Sequence, residues 1–333
     1  MSNPKRREFL KTSIATLATA AVGPSVLAQQ QDSPEGIPTR PLGRSGERVS
    51  IIGVGGWHIG VPEEKDAIAM IHEAIDSGVR FFDNSWDYHD GGSEKVVGKA
   101  LSTGGRRDKV FVMTKNCARD YEGSKKHLED SLRRLKTDRI DLWQFHECDW
   151  HVDPEWIFDR GGLKYAIEAR KAGKVRYIGF TGHRNVANQL KMIAKPFEWD
   201  TVQMPINIID AHFNSFQTTV LPECVKKKIS VVGMKGLGGG GGIPKGVGLP
   251  AETCRRYSLS MPISTLVCGM TSLRDLRQDV AIARGFKPFT EEEMRDLREK
   301  TKEIGATGKL EGYKRKEFGT RYHFEQHKEA PGR

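Results

Sequence analysis

From about residue 50 onward, short runs of β-branched and aromatic residues alternate with longer segments whose apolar positions recur at helical spacing. The run 49–54 predicts a strand. The stretch 65–77 follows, where Ala67, Ile68, Met70, Ile71, Ala74 and Ile75 form one apolar stripe and Gly78 ends the helix. The same pairing recurs at 80–82 with 93–101, 110–114 with 124–135, and 140–145 with 163–171. It continues at 175–180 with 186–194, 201–206 with 217–227, 230–234 with 250–259, and 265–268 with 273–283. Strands that alternate with helices predict a parallel sheet, because each crossover needs a helix to return the chain. Eight such units with no break predict closure into a (β/α)8 TIM barrel, an α/β fold, over residues 38–288. Gly43-Arg44-Ser45-Gly46 is a turn signal, so a short hairpin is expected before the barrel, around 39–48. Thr290 followed by three glutamates starts a further helix, and 289–333 reads as a C-terminal helix and basic tail. The pattern leaves open whether that tail covers a barrel mouth.

The start of the chain does not share this period. Lys5, Arg6, Arg7 and Lys11 precede an uncharged stretch, 12–26, and Val26-Leu27-Ala28 has the small-residue spacing of a cleavage site. Residues 1–28 therefore read as a signal peptide, and the Arg6-Arg7 pair marks it as the twin-arginine kind. Residues 29–37 read as a linker. The expected partner is the twin-arginine export machinery, and the expected location is periplasmic or secreted. The apolar run is shorter than the roughly 20 residues a membrane span needs. The 333-residue chain carries a formal charge of +10, of which about +7 remains after the leader is removed. No interleaving of basic and aromatic residues suggests nucleic-acid binding. The five cysteines, Cys117, Cys148, Cys224, Cys254 and Cys268, contain no C-x-x-C pair and match no zinc or iron–sulfur spacing. They read as buried structural thiols, and no metal is expected.

In a barrel of this kind chemistry collects where strands end and βα loops begin. The second predicted strand ends in Asp83, with Tyr88 five residues on. The third ends in Lys115 and the fourth in His146. A carboxylate, a phenol, an amine and an imidazole thus reach one mouth from consecutive strands. These groups suit carbonyl reduction, in which negative charge develops on the carbonyl oxygen and a proton donor beside it stabilises the transition state. A phenol with its ordinary pKa of about 10 exchanges its proton slowly at neutral pH. Lys115 is expected to lower that value, with Asp83 holding the ammonium and His146 orienting the carbonyl.

The stretches 82–88 (Phe-Asp-Asn-Ser-Trp-Asp-Tyr) and 92–101 (Gly-Ser-Glu-Lys-Val-Val-Gly-Lys-Ala-Leu) resemble the signature of the aldo-keto reductase family. So do Met113-Thr114-Lys115, the segment 128–142 and the segment 173–179. The resemblance covers about residues 38–284. It implies the tetrad Asp83, Tyr88, Lys115 and His146, with Tyr88 as general acid–base and hydride from a nicotinamide cofactor. It also implies carboxamide contacts from Thr181 and Gln203, a ring contact from Met234, and a pyrophosphate loop at Lys235, Gly236 and Leu237 running into glycines 238–242. The adenosine end would fall at Gly269, Thr271, Asp275 and Asp279.

Three departures from the family pattern matter. Thr181-Gly182-His183 stands where Ser-Asn is usual, Met234 where an aromatic is usual, and Gly269 and Asp275 where Lys or Arg often holds a 2′-phosphate. NADP is the family default, and these positions leave NAD open. The absence of G-x-G-x-x-G after the first strand argues against a Rossmann site. Trp57 and Trp86, near strand ends, are expected to wall a small-molecule carbonyl or alcohol substrate. The competing reading is a nucleotide-sensing or scaffolding module of the same fold with little turnover. A barrel glycosidase would need paired strand-end carboxylates, and Asp83 is matched by a lysine instead.

Overall fold

The computed structural model describes residues 26–315, 319–328 and 330. All but the last three residues of the predicted leader lie outside this range. Eight strands close into a barrel in which each is parallel to its neighbours. They are β1 (Ile52–Val54), β2 (Phe81–Phe82), β3 (Phe111–Asn116), β4 (Ile140–Phe145), β5 (Val175–Thr181), β6 (Thr201–Pro205), β7 (Ser230–Met234) and β8 (Thr265–Cys268). The helices that follow them are α1 (Glu64–Asp76), α2 (Gly92–Leu101), α3 (Tyr121–Leu135), α4 (Gly162–Lys171), α5 (Val186–Ala194), α6 (Phe216–Lys226), α7 (Ala251–Ser260) and α8 (Leu273–Arg284). β8 pairs with β1, Leu266 opposite Ile52, and this closes the barrel. The strands are buried on both faces, as parallel strands covered by helices must be.

The predicted run 49–54 divides at Ile51. Its first part, Arg48–Ser50, pairs antiparallel with Thr39–Pro41 as the expected hairpin, and only Ile52–Val54 enters the barrel. The hairpin has a structural job. Its Leu42 and Val49 pack with Phe81, Phe111, Leu142, Val232 and Val267, and so plug the N-terminal end of the barrel. Function is left to the opposite mouth. The segment read as a linker docks on the barrel: Gln31 bridges Thr39, Ile37 is fully buried and Glu35 pairs with Arg80 at 2.5 Å.

Two further helices close the chain, α9 (Glu291–Ala306) and α10 (Arg321–Gln326). α9 starts on a capping box between Thr290 and Glu293. Beyond it the basic tail covers the C-terminal mouth. Lys314 is buried, donating to Asp210 and Glu311 at 2.8 Å each. His327 stacks on Trp150 and Trp156 and bonds Asp153 Oδ1 at 2.7 Å. Among the described residues no helix is long and apolar enough to cross a membrane.

Candidate active site

Asp83 follows β2 directly, its N–H donating to Val54 O at 2.9 Å. The β1 loop presses on this point so closely that a Cβ at Gly56 would overlap the Asp83 carbonyl oxygen, so only glycine fits. Lys115, on β3, is buried. Its ammonium donates to Asp83 Oδ1 at 2.5 Å, to Asn84 O at 2.7 Å and to Tyr88 Oη at 3.1 Å. A buried ammonium is stable only when its donors are satisfied, and here three acceptors meet three donors. Tyr88 opens a tight turn in which His89 and Asp90 both take the left-handed conformation, each at φ 52°, before Gly91. Trp57 stands edge-on to the Tyr88 ring at 5.5 Å.

The acidity of Tyr88 runs opposite to the expectation from sequence. Burial, then the carboxylates of Asp83, Asp87 and Glu147, push the phenol well above its usual value. One ammonium does not offset desolvation together with three acids, so Tyr88 holds its proton.

His146 follows β4, and its Nδ1 lies 3.1 Å from Ser85 Oγ, 3.3 Å from Asp87 Oδ1 and 3.5 Å from Cys117 Sγ. These contacts all use Nδ1, which leaves Nε2 for the cavity that His146 lines. The next residue, Glu147, has a left-handed backbone at φ 47°. Burial raises its carboxyl to about 7, against the partly offsetting charge of His146. Arg119, paired with Asp153 at 2.7 Å, donates to the carbonyls of His146 and Glu147 at 2.7 and 3.2 Å and fixes this strand end.

Trp57, Trp86, Tyr88, Lys115, His146, Thr181, Met234 and Lys235 share one cavity of about 1350 Å³. Asp83 sits just behind its wall, against Lys115. Trp86 also stacks on His127 at 3.6 Å and donates to Asp130 at 3.1 Å, so part of its surface is committed to packing.

The pattern that defines the Aldo/keto reductase family matches residues 51–245. The chain belongs to that family. It is 33% identical over 223 residues to the uncharacterized oxidoreductase YrpG of Bacillus subtilis, covering 60% of this chain and 66% of that protein. It is 31% identical over 204 residues to the aldo-keto reductase YhdN of the same organism, covering 56% and 58%. The chain thus spans less than two thirds of the length of these curated relatives. Among solved structures, the holo form of aldo-keto reductase AKR11C1 from Bacillus halodurans aligns with a TM-score of 0.68 and 25% identity, over 79% of this chain and 95% of that one. The fold is shared with an aldo/keto reductase from Klebsiella pneumoniae in complex with NADP and acetate, at a TM-score of 0.66 and 20% identity, over 77% and 93%.

Around this aldo/keto reductase mouth the residues assigned to the nucleotide are spread over different environments. Thr181 and Gln203 are register partners on β5 and β6. Gln203 Oε1 is buried with no hydrogen-bond partner among the described residues. The glycine loop approaches the β1 loop where His58 Nε2 meets Gly239 O at 3.1 Å. Gly236 and Leu237 lie just outside the cavity lining, as do Gly269, Thr271, Asp275 and Asp279. Gly269 makes room for His58, whose ring lies 2.5 Å from where a Cβ would be. Asp275 accepts from both the N–H and the hydroxyl of Thr271 at 3.1 Å. Asp279 forms a buried pair with Arg255 at 2.9 and 3.1 Å. Of the nearby arginines, Arg277 is held by Glu73 at 2.6 Å and Arg274 is exposed.

Sequence reasoning missed several wall residues and gave His183 no role beyond its place in the Thr181-Gly182-His183 departure. Glu147 is one, and its signal was the charged doublet His146-Glu147 at a strand end. His183 is buried between the carboxylates of Glu147 and Asp149, at 3.9 and 3.7 Å. Burial, with Lys235 and His146 nearby, keeps its pKa well below the usual value. Tyr313, Arg315, Arg321 and Tyr322 close the cavity from the tail. Only the aromatic cluster 322–324 within that basic stretch hinted at packing.

Proposed function

We propose that this aldo/keto reductase is a nicotinamide-dependent oxidoreductase that reduces aldehyde or ketone groups of small molecules, with Tyr88 as proton donor. The observation that carries this reading is the Tyr88 hydroxyl, facing the cavity 3.1 Å from a Lys115 ammonium that Asp83 holds at 2.5 Å. The orphaned acceptor of Gln203 beside Thr181 fits a carboxamide, whose N–H2 supplies the missing donor. Met234 offers a polarizable sulfur at the wall. A bound reduced nicotinamide would supply hydride to the carbonyl carbon.

The protein's own residues do the rest. Tyr88, held protonated, gives its proton to the oxygen as charge develops there. The phenolate that remains is stabilised by Lys115, whose charge is within hydrogen-bond reach. His146 Nε2 lies on the same wall and orients the oxygen. The same residues, run in reverse, would serve alcohol oxidation, with Tyr88 as base. NADP is the proposed nucleotide, in line with the family, with NAD as the competitor because, among the described residues near the adenosine end, Arg277 and Arg255 are held by Glu73 and Asp279, and Arg274 is exposed.

The Arg6-Arg7 pair, the uncharged stretch and Val26-Leu27-Ala28 support export of the folded chain by the twin-arginine route. All five cysteines are buried and unpaired, so the described fold needs no oxidising compartment to form. Cell fractionation with N-terminal sequencing checks this, and a full-length cytoplasmic chain would refute it.

The first test follows reduced-nicotinamide absorbance with a panel of aldehydes and ketones, using wild type and Tyr88→Phe. The variant is expected to lose about 10²–10⁴-fold in kcat/KM while keeping its nucleotide affinity. Tight nucleotide binding without turnover on any carbonyl would favour the sensing module instead.

A further inference from the structure

At the cavity wall, four side chains able to ligate a metal converge from separate parts of the chain. Asp87 comes from the loop after β2, Cys117 from just beyond β3, His146 from just beyond β4, and His323 from α10 in the tail. One donor atom from each lies within 4.8 Å of all the others. His146 Nδ1 is 3.3 Å from Asp87 Oδ1 and 3.5 Å from Cys117 Sγ. These two separations match the edges of a tetrahedron whose metal–nitrogen and metal–sulfur bonds are about 2.0 and 2.3 Å, and the remaining donors, within 4.8 Å, close in by about an ångström to complete it.

Three polar atoms of this cluster are left unsatisfied among the described residues. Both ring nitrogens of His323 are buried with no hydrogen-bond partner among the described residues, and so is Asp87 Oδ2. Glu147 Oε2 comes only to 3.8 Å from His323 Nε2, beyond hydrogen-bond range. His327, one turn later, shows what a satisfied histidine looks like here. Its Nδ1 meets His323 O and its Nε2 meets Asp153 Oδ1, each at 2.7 Å. A buried imidazole that makes neither bond calls for a ligand.

We propose that Asp87, Cys117, His146 and His323 bind a zinc-class divalent cation. Two imidazole nitrogens, one thiolate and one carboxylate oxygen form a borderline-soft set, suited to Zn²⁺ and unsuited to Mg²⁺ or Ca²⁺. On binding, the Cys117 thiol releases its proton to solvent as the metal–sulfur bond forms. Ser85 Oγ gives up its 3.1 Å contact with His146 Nδ1 and keeps its 2.6 Å bond to Asp87 Oδ1. Four protein ligands complete a tetrahedron, so the ion is structural.

It does two things. It ties the C-terminal tail to the barrel, and it places the His146 proton on Nε2, because Nδ1 is occupied. The second effect rests on the reductase reading, since it makes His146 a neutral donor toward a carbonyl oxygen. The ion site itself does not rest on that reading.

The test uses the full mature chain, purified without chelating resin, stripped with chelator and titrated with Co²⁺. The expected result is one equivalent bound, with tetrahedral ligand-field bands and a thiolate-to-cobalt charge-transfer band. Cys117→Ser should abolish the charge-transfer band, and His323→Ala should weaken binding at least about tenfold. His323 lies in a terminal helix outside the barrel, so that variant carries the test if Cys117→Ser misfolds. Stoichiometric binding with these bands supports the site whether or not the protein reduces any carbonyl. No stoichiometric cobalt, or a spectrum unchanged in both variants, overturns it.

Discussion

On the β1–β4 side of the cavity, Lys115 Nζ makes three bonds within 3.1 Å and every tetrad group touches another. On the β5–β8 side, Gln203 Oε1 is buried with no partner among the described residues, and a glycine loop lies where side chains would otherwise close in. The first half is organised by the protein's own charges before any ligand arrives, and this suits groups that must handle a proton at a fixed place. The second half leaves its hydrogen-bonding capacity open, and this suits a large ligand that brings its own donors. Within the second half the two acceptors differ: Asp279 is paired with Arg255, whereas Gln203 Oε1 has no partner among the described residues.

Three experiments sharpen or break this contrast. The largest effect is expected from Asp279→Ala, which strands a buried guanidinium and should destabilise the fold by about 3–5 kcal/mol in urea unfolding. Folded variant should bind nucleotide as wild type does. A large loss of affinity at unchanged stability would return Asp279 to the cofactor side.

Next comes the pH dependence of stability at Glu147. Its carboxyl is raised from 4.5 to about 7, so the folded state binds more protons than the unfolded chain between those values. That contribution is fully present below the unfolded pKa and is lost as pH rises through about 7, a span of about 3 kcal/mol. Glu147→Gln should flatten this part of the stability profile. Asp210, raised to about 6 by burial, leaves a residual slope of the same sign. An unchanged profile in the variant would show that Glu147 ionises freely and that the β4 side is less closed than its geometry indicates.

The smallest effect is expected at Gln203→Leu. Losing one neutral acceptor should weaken nicotinamide binding about fivefold, or ~1 kcal/mol, with the fold as stable as before. Equal nucleotide affinity in the two proteins would remove the carboxamide contact from the proposal.

Much of this was legible from residue spacing. Helix Val186–Ala194 and strands Ile140–Phe145, Ser230–Met234 and Thr265–Cys268 lie where periodicity puts them. Strand-end counting alone brought Asp83, Lys115 and His146 to one mouth. Other features were hidden for identifiable reasons. The run 49–54 looked continuous because hairpin and barrel strands share the same apolar alternation, and only pairing partners separate them. The acidity of Tyr88 was misjudged because a nearby lysine is visible in sequence and burial among three carboxylates is not. The cluster of Asp87, Cys117, His146 and His323 has no local spacing to reveal it.

The amino-acid sequence by itself determined the eightfold strand–helix order and the end of the barrel where chemistry would gather, because these follow from hydrogen-bond and side-chain periods within a few residues of chain. Tertiary structure alone decided which groups share a volume with the tetrad, that the basic tail lines the mouth, and which proton each acid keeps. Those properties depend on contacts between residues as far apart as 146 and 323 and on the water their packing excludes.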